Sequence, residues 1–196
     1  MFWVDVEPFQ EILDRVRGAP DVGVTFDDGH CSDIEIAMPE LLKRGMKGVF
    51  FVVTGRINQQ GFLSESDIRE LHREGMSIGS HGESHVEWTG LSPDALQKEV
   101  VGSKATLEEV VGEAVTSAAC PFGAYDRASL TTLREGGFRS VHTSDHGLCS
   151  RRDWLRARNT VLSSNDMQAL EEWLRIRPWG MAENWRRLKR IVKARR

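Results

Sequence analysis

Two adjacent aspartates, Asp27 and Asp28, close an apolar stretch of the sequence and are followed at once by Gly29. Like charges repel, and carboxylates at the mouth of a buried strand lose hydration, so this pair is costly unless a cation binds beside it. Neighbouring strand residues point to opposite faces, and a glycine allows a sharp turn after them. The two carboxylates can therefore take different roles around one centre, whereas an isolated Asp-Gly pair is typical of an ordinary turn.

His81 and His85 form a second candidate group, because they lie four positions apart in the segment "SHGESH". On a helical turn this spacing puts both imidazoles on one face, where they can bind one metal ion. Two imidazoles and one carboxylate leave positions open for water, as in catalytic zinc sites. A second carboxylate could then accept a proton from water whose pKa the ion has lowered. A lone His-x-x-x-His pair is otherwise typical of a solvated helix face.

Strand and helix patterns alternate along the chain, and the chemistry-bearing residues follow the strands. The predicted strands are, in order, "DVGVTF", "GVFFVV", "MSIGS", "VTSAAC", "FRSVHTS" and, as a sixth candidate, "ARNTVLS". This alternation predicts a mainly parallel sheet, either a barrel or an open doubly wound sheet. Both architectures place functional residues at the carboxyl ends of strands, so the residues that follow each strand are the candidates.

Capping and breaking residues predict where the intervening helices begin. We expect Ser66 to be the N-cap of the helix in "SDIRELHREG", and Ser92 before a proline to start the next one. Pro39 should kink the helix in "SDIEIAMPELLKRG" or lie near a first turn. Further helices are predicted from Asp166 and from Ala182.

Length and composition bound the number of domains and the compartment. A chain of 196 residues, 40% of them hydrophobic, suits one compact domain. We assign residues 1–181 to a catalytic domain and 182–196 to a C-terminal tail. No stretch is long enough to span a bilayer, and the N-terminus lacks the features of a secretory signal, so we expect a cytoplasmic location. Cys31, Cys120 and Cys149 lack zinc-like spacing, which predicts free thiols.

The C-terminal tail differs sharply in charge from the rest of the chain. Its last twelve residues contain seven Lys/Arg and no acid, and the remaining 19 basic and 29 acidic residues give a formal charge of −10. The acidic body argues against nucleic-acid binding. Four apolar residues of the tail can share one helix face: Trp185, Leu188, Ile191 and Val192. The segment could lie on an anionic membrane surface, peripheral to the inner face, or pack its apolar face on the catalytic domain with its basic face solvated.

"TFDDG", "SHGESH" and "PFG" in this order resemble the polysaccharide deacetylase family, also known as the NodB-homology domain and as carbohydrate esterase family four. The resemblance covers residues from about 20 to 160 and includes "FFVVTGRI" and "LHREGMSIGSH". It implies an α/β fold, a distorted, incomplete (β/α) barrel. It also implies a hydrolase that removes N-acetyl groups from an N-acetylated sugar, polysaccharide or glycan precursor.

The resemblance further implies a role for individual residues. Asp27 would be the catalytic base. Three side chains would hold one divalent metal ion, usually Zn²⁺: Asp28, His81 and His85. Three residues after the fourth strand would shape the acetyl pocket, with the second contributing its backbone N–H to the oxyanion: Pro121, Phe122 and Gly123.

The sequence departs from the family pattern in two places. Ala119 stands where many members have an arginine that braces the catalytic aspartate, and we expect Arg158 to take over that task. Members often supply a histidine near the domain's C-terminus as general acid, and no clear equivalent is present. His142, Asp145 and His146 lie near the end of the fifth strand and could contribute, although His142 could equally be packed inside.

The motifs are also compatible with two other functions. One is a different amide hydrolase on the same scaffold, such as a deformylase of a lipid-linked sugar or an enzyme acting on another non-peptide C–N bond. The other is a degenerate member that binds glycan without turnover, although a binding module needs no base beside a metal-binding group. The motifs do not identify the sugar, because loops select substrates.

Overall fold

The computed structural model describes residues 4–19, 21–161, 167–175, 186, 189–190 and 192–195. Within these residues six parallel strands form one sheet whose strand order follows the chain. The strands are β1 (Val24–Asp28), β2 (Gly48–Val52), β3 (Ser77–Ser80), β4 (Ser117–Ala119), β5 (Ser140–Thr143) and β6 (Leu155–Ala157). The sheet curls into an incomplete barrel, and Arg158 after β6 reaches Asp27 at the end of β1. The predicted incomplete (β/α) barrel is therefore confirmed.

Helices connect the strands, and two stretches between them have wider, π-helical turns. The helices are α1 (Val6–Val16), α2 (Met38–Lys43), α3 (Glu65–Arg73), α4 (Pro93–Leu96), α5 (Ser103–Val111), α6 (Arg127–Glu135) and α7 (Met167–Arg175). The π-helical turns are Asp33–Ala37, just before α2, and Gln97–Gly102, between α4 and α5. Among the described residues, the helices are too short or too polar to cross a bilayer.

The hydrophobic core explains why β2 is a continuous apolar run. Phe50, Phe51 and Val52 are all buried, because helices cover one face of the sheet and the barrel interior the other. Helix α3 instead buries one stripe, including Ile68 and Leu71, against this core. Cys31, Cys120 and Cys149 form no disulfide with one another.

Two predicted boundaries are wrong. Helix α3 is capped by Ser64, not Ser66, because the Ser64 hydroxyl accepts the Asp67 N–H at 3.2 Å and the Asp67 carboxylate accepts the Ser64 N–H at 2.8 Å. This reciprocal capping box fixes the start of the helix earlier in the chain. The sixth strand pairs with β5 through Ala157 and ends there, so most of the predicted strand "ARNTVLS" lies beyond it.

Other predicted starts agree with the structure or lie outside it. Ser92 caps α4 by accepting the Ala95 N–H at 3.3 Å, and Pro39 lies in the first turn of α2. Asp166 and Ala182 fall outside the described residues, as does most of the range 182–196. The assignment of that range to a separate tail therefore stays a prediction.

Candidate active site

The end of β1 presents both of its carboxylates to one region. Asp27 and Asp28 are the last two residues of the strand and pair with Phe51 and Val52 of β2. Asp28 and Gly29 have φ of 80° and 73°, two left-handed residues in succession that turn the chain sharply. A side chain on Gly29 would also begin only 3.1 Å from Val52 Cγ1. Such conformations cost about 1–3 kcal/mol at a non-glycine residue and concentrate at functional sites.

Asp27 is held by a fork of hydrogen bonds from Arg158. Its Oδ1 accepts from Nη1 at 2.6 Å and its Oδ2 from Nη2 at 2.7 Å, while Nη1 also donates to Thr25 Oγ1 at 3.0 Å. Burial alone would raise the pKa of Asp27, but His81 and the Arg158 guanidinium outweigh it and hold that pKa below its usual value. Asp27 is therefore ionised at neutral pH, and the predicted contact with Arg158 is present.

Asp28 lies on the other side, against the two histidines. Its Oδ1 is 3.0 Å from His85 Nε2 and 3.7 Å from His81 Nε2, and one potential ligand atom from each residue lies within 4.8 Å of the others. Burial would raise the pKa of Asp28, but His85, His81 and Arg56 bring it down to about 2. The structure thus brings together the three predicted metal ligands.

The chemistry of these donors fits a divalent metal ion. Asp28 Oδ1 is buried and has no aligned hydrogen-bond donor. His81 Nδ1 lies 2.8 Å from the Ala119 carbonyl oxygen, which favours the tautomer in which Nδ1–H donates and the Nε2 lone pair faces Asp28. Burial lowers the pKa of His81, favouring the neutral imidazole that a metal requires. An orphaned carboxylate oxygen beside two imidazole nitrogens is suited to a cation.

The route by which the two histidines converge differs from the prediction. Residues 81–85 form an irregular loop, not a helical turn. Gly82 and His85 have φ of 83° and 56°, so the loop includes two left-handed residues. The histidine rings nevertheless lie 5.0 Å apart, because hydrogen bonds to other parts of the chain hold the loop. The prediction that the two imidazoles lie close together is therefore right, but the helical turn on which it was based is wrong.

The turn after β4 borders His85. Pro121–Gly123 forms a single 3₁₀ turn in which Phe122 has a φ of 57°. The Phe122 ring is 66% exposed and its centroid lies 4.7 Å from that of His85. A side chain on Gly123 would lie 2.8 Å from the Ser144 backbone nitrogen. The predicted pocket residues thus lie beside the candidate metal ligands, with an apolar ring facing solvent.

The three candidate general acids differ in their surroundings, and the identity of the general acid stays a prediction. His142 packs on Phe51 with ring centroids 4.9 Å apart, and burial followed by nearby arginines lowers its pKa to about 3. Burial would raise the pKa of Asp145, but hydrogen bonds from Lys193, Tyr125 and Thr143 lower it. His146 is exposed, with a φ of 55°, and its backbone N–H donates to the Arg158 carbonyl.

The C-terminal segment contacts the barrel through basic side chains. Arg190 Nη1 donates to the His146 carbonyl at 3.0 Å, and Lys193 Nζ donates to the Gly123 carbonyl and to Asp145 Oδ1, both at 2.8 Å. Val192 is 48% exposed, and the other three residues of the predicted apolar face lie outside the described residues. These contacts differ from the packing alternative, which left the basic face solvated.

Two buried carboxyl groups near the site were not predicted. Asp33 is 5% exposed, and its Oδ2 has no hydrogen-bond partner. Glu99 is also buried and accepts hydrogen bonds from the backbone of the 81–85 loop. A signal for Glu99 was available, because it falls on the same face as the buried helix positions Leu96, Val100 and Ser103.

The parallel, incomplete barrel with an Asp-His-His group and an arginine-held aspartate at its carboxyl edge defines an α/β protein with a candidate hydrolytic metal centre. The family model for polysaccharide deacetylase matches residues 14–141. The chain belongs to the polysaccharide deacetylase family, which confirms the resemblance. Enzymes of this family use a divalent metal ion.

Individual relatives agree with this assignment. The chain is 31% identical over 144 residues to YxkH of Bacillus subtilis (strain 168), named for the polysaccharide deacetylase family, covering 74% of this chain and 52% of YxkH. It is 26% identical over 134 residues to a peptidoglycan-N-acetylglucosamine deacetylase of Bacillus cereus, covering 68% and 60%. The structure of IcaB from Ammonifex degensii superposes with a TM-score of 0.76 at 23% identity, covering 88% and 90%. The chain thus spans little more than half the length of these two curated relatives.

Proposed function

We propose that this chain is a metal-dependent hydrolase that removes N-acetyl groups from an N-acetylated carbohydrate, and that its ion is Zn²⁺. The observation that carries the proposal is the environment of Asp28 Oδ1, which is buried without an aligned donor beside His81 and His85. Two imidazoles and one carboxylate suit Zn²⁺ and leave positions open. The deacetylase names of the relatives support the substrate class.

The residues of this chain divide the chemistry between them. Asp28, His81 and His85 would hold the ion, which when bound polarises a carbonyl and acidifies water. Asp27 accepts the proton of the water that attacks the acetamide carbonyl, and Arg158 keeps its carboxylate ionised and oriented. The carbon–nitrogen bond then breaks, giving acetate and a free amine. The proton held by Asp27 is available to the leaving nitrogen.

The turn around Phe122 would hold the acetyl group. Its ring lies beside His85, so an acetamide carbonyl near the ligands would also be near this turn. One hydrogen-bond donor at a developing oxyanion is worth about 3–4 kcal/mol. We assign this donor role to the Phe122 N–H.

Acetate release tests the proposal directly. Protein stripped with a chelator and reloaded with one equivalent of Zn²⁺ is incubated with N-acetylated chitooligosaccharides and peptidoglycan fragments, and acetate and new amines are quantified. Asp27→Asn is the matched control, because it preserves shape and removes only the proton acceptor. We expect equal amounts of acetate and amine from the zinc-loaded chain and almost none from the variant or the stripped protein.

The alternative functions give different results in the same assay. Formate release from an N-formyl sugar, with no acetate from any acetylated substrate, would identify a deformylase. Glycan binding without either product, in protein that holds zinc, would identify a degenerate binding protein. A chain that retains no divalent ion would contradict the proposed centre itself.

The cytoplasmic location and the membrane contact stay predictions. Co-sedimentation with anionic and neutral vesicles at low salt, comparing the full chain with one ending at Asn184, tests the contact. Each basic residue near an anionic surface contributes about 1 kcal/mol, so the full chain should bind anionic vesicles much more tightly. Equal binding of both chains would reject the membrane role.

A further inference from the structure

The loop that carries His85 is held by a carboxylate from a distant part of the chain. Glu99 lies in the π-helical segment Gln97–Gly102 and is 6% exposed. Its Oε2 accepts the Glu83 N–H at 3.0 Å, and both of its oxygens lie 3.1 Å from the Ser84 backbone nitrogen. A buried charge is thus satisfied by the backbone of the loop between the two histidines.

The same loop is held from its other side by the turn after β2. The Thr54 N–H donates to the Gly82 carbonyl at 3.0 Å, and the Gly55 N–H donates to the Glu83 carbonyl at 2.9 Å. Glu99 therefore binds the N–H groups of the loop while this turn binds its carbonyls. The left-handed conformation of His85 costs about 1–3 kcal/mol and persists only where the surroundings enforce it.

The carboxylate of Glu99 is closely enclosed. A side chain on Gly82 would lie 2.8 Å from Glu99 Oε2 and 3.3 Å from the ring of Trp88, which is fully buried. Ser103 Oγ donates to the Glu99 carbonyl at 2.6 Å and lies 2.7 Å from the hydroxyl of Ser80, just before the loop. One helical segment therefore fixes both the start and the middle of the loop.

We propose that Glu99 is a positioning residue of the candidate metal centre, setting the loop conformation that brings His85 Nε2 against Asp28. This inference rests on the proposed function, because it assumes that the cluster binds a divalent ion. Without the carboxylate, two backbone N–H groups lose their acceptor, and loop conformations that turn His85 away gain population. Metal binding must then order the loop as well, so affinity falls.

A double-mutant cycle on zinc affinity tests this inference. Zn²⁺ affinity is measured by competition with a chromophoric chelator for the wild-type chain, Glu99→Gln, His85→Ala and the double variant. Residues that support metal ligands typically contribute 10–100-fold to affinity, and we expect that loss in Glu99→Gln. Because Glu99 acts through His85, the double variant should bind zinc about as weakly as His85→Ala alone.

Two further measurements separate positioning from general destabilisation. Asp126→Asn is the matched control, because the Asp126 carboxylate also accepts two backbone N–H groups, from Gly90 and Ser129, both at 2.8 Å. It should lower the thermal midpoint without weakening zinc binding. Replacing Zn²⁺ by Co²⁺ should give a visible spectrum in Glu99→Gln that shifts toward that of His85→Ala, because a ligand is lost or displaced.

The outcomes distinguish the inference from the function on which it rests. A wild-type chain that binds no Zn²⁺ would overturn the proposed metal centre. A wild-type chain that binds Zn²⁺ while Glu99→Gln binds it equally well, or losses that add fully in the double variant, would overturn the role of Glu99 alone. If Glu99→Gln does not fold, Glu99→Asp replaces it, since it keeps the charge but withdraws it from the loop, and undiminished affinity there would be equally decisive.

Discussion

Asp27 and Asp28 are consecutive residues with opposite surroundings. Both oxygens of Asp27 are bound by Arg158, at 2.6 and 2.7 Å. Asp28 Oδ1 is buried without an aligned donor, 3.0 Å from one imidazole nitrogen and 3.7 Å from another. Arg158 binds the first carboxylate through two short hydrogen bonds, whereas the second has Arg56 only at 3.5 Å and faces two imidazoles. A change of strand face and the left-handed conformation of Asp28 give two consecutive carboxylates these different surroundings.

The largest expected effect is the difference between the Asp27→Asn and Asp28→Asn variants. Asp27→Asn should lower kcat by about 10²–10⁴-fold, the usual contribution of a general base, while zinc content stays at one equivalent. Asp28→Asn should lose zinc as well as activity, because an amide is a much weaker ligand than a carboxylate. Metal analysis and acetate release on the same preparations check both.

Equal zinc loss in the two variants would mean that the carboxylates share one role. Circular dichroism before and after chelation is the control for folding. Added zinc should restore activity partly in Asp28→Asn and not at all in Asp27→Asn.

The next effect tests whether the two hydrogen bonds from Arg158 orient Asp27. Arg158→Lys keeps the positive charge but cannot form the planar fork, so Asp27 loses its orientation. Misplacing a catalytic group by about 1 Å can cost on the order of 10²-fold, and we expect a fall in kcat of that size with unchanged zinc affinity. Arg56→Lys is a suitable control, since the Arg56 guanidinium lies 3.5 Å from the other carboxylate, that of Asp28. If Arg158→Lys instead weakened zinc binding, Arg158 would support the metal ligands and not only Asp27.

The sequence predicted the members of this site better than their surroundings. The strand order, Asp28 and the two histidines follow from residue type and from their positions after strands. The helical turn predicted for residues 81–85 is wrong, because two left-handed residues and tertiary hydrogen bonds shape that loop. Glu99 binds this loop from a separate element; its helical spacing indicates burial, but a local pattern does not show which loop it contacts.

A third carboxyl group tests the comparison, because Asp33 is buried, forms no ion pair with any described residue, and has no hydrogen-bond partner at Oδ2. Burial, and then the charges of Asp27 and Asp28, raise its pKa well above the usual value. The folded state therefore keeps a proton that the unfolded state releases. The stability associated with this proton is present at acid pH and is lost as pH rises from the ordinary carboxyl pKa through the raised one.

Asp33→Asn should remove this pH dependence. At neutral pH we expect the free energy of unfolding to rise, because the folded variant no longer has to hold a proton that the unfolded chain releases. The gain should be small near pH 4 and grow with pH until the raised pKa is passed. Urea unfolding at several pH values measures it. A gain independent of pH would show that Asp33 is ionised in the folded protein.

The smallest effect concerns Asp145, which resembles Asp27 in being held by a cation of the chain. Lys193 Nζ donates to Asp145 Oδ1 and to the Gly123 carbonyl, so it connects this carboxylate to the turn that carries Phe122. Lys193 is 38% exposed, and such pairs contribute at most about 1 kcal/mol. Lys193→Met should therefore lower stability slightly and raise KM a few-fold through a looser turn, with zinc affinity unchanged.

Arg195→Met is the control for charge, because Arg195 is an exposed basic residue of the same segment. An equal rise in KM in that variant would show that Lys193 acts only through the positive charge of the C-terminal segment.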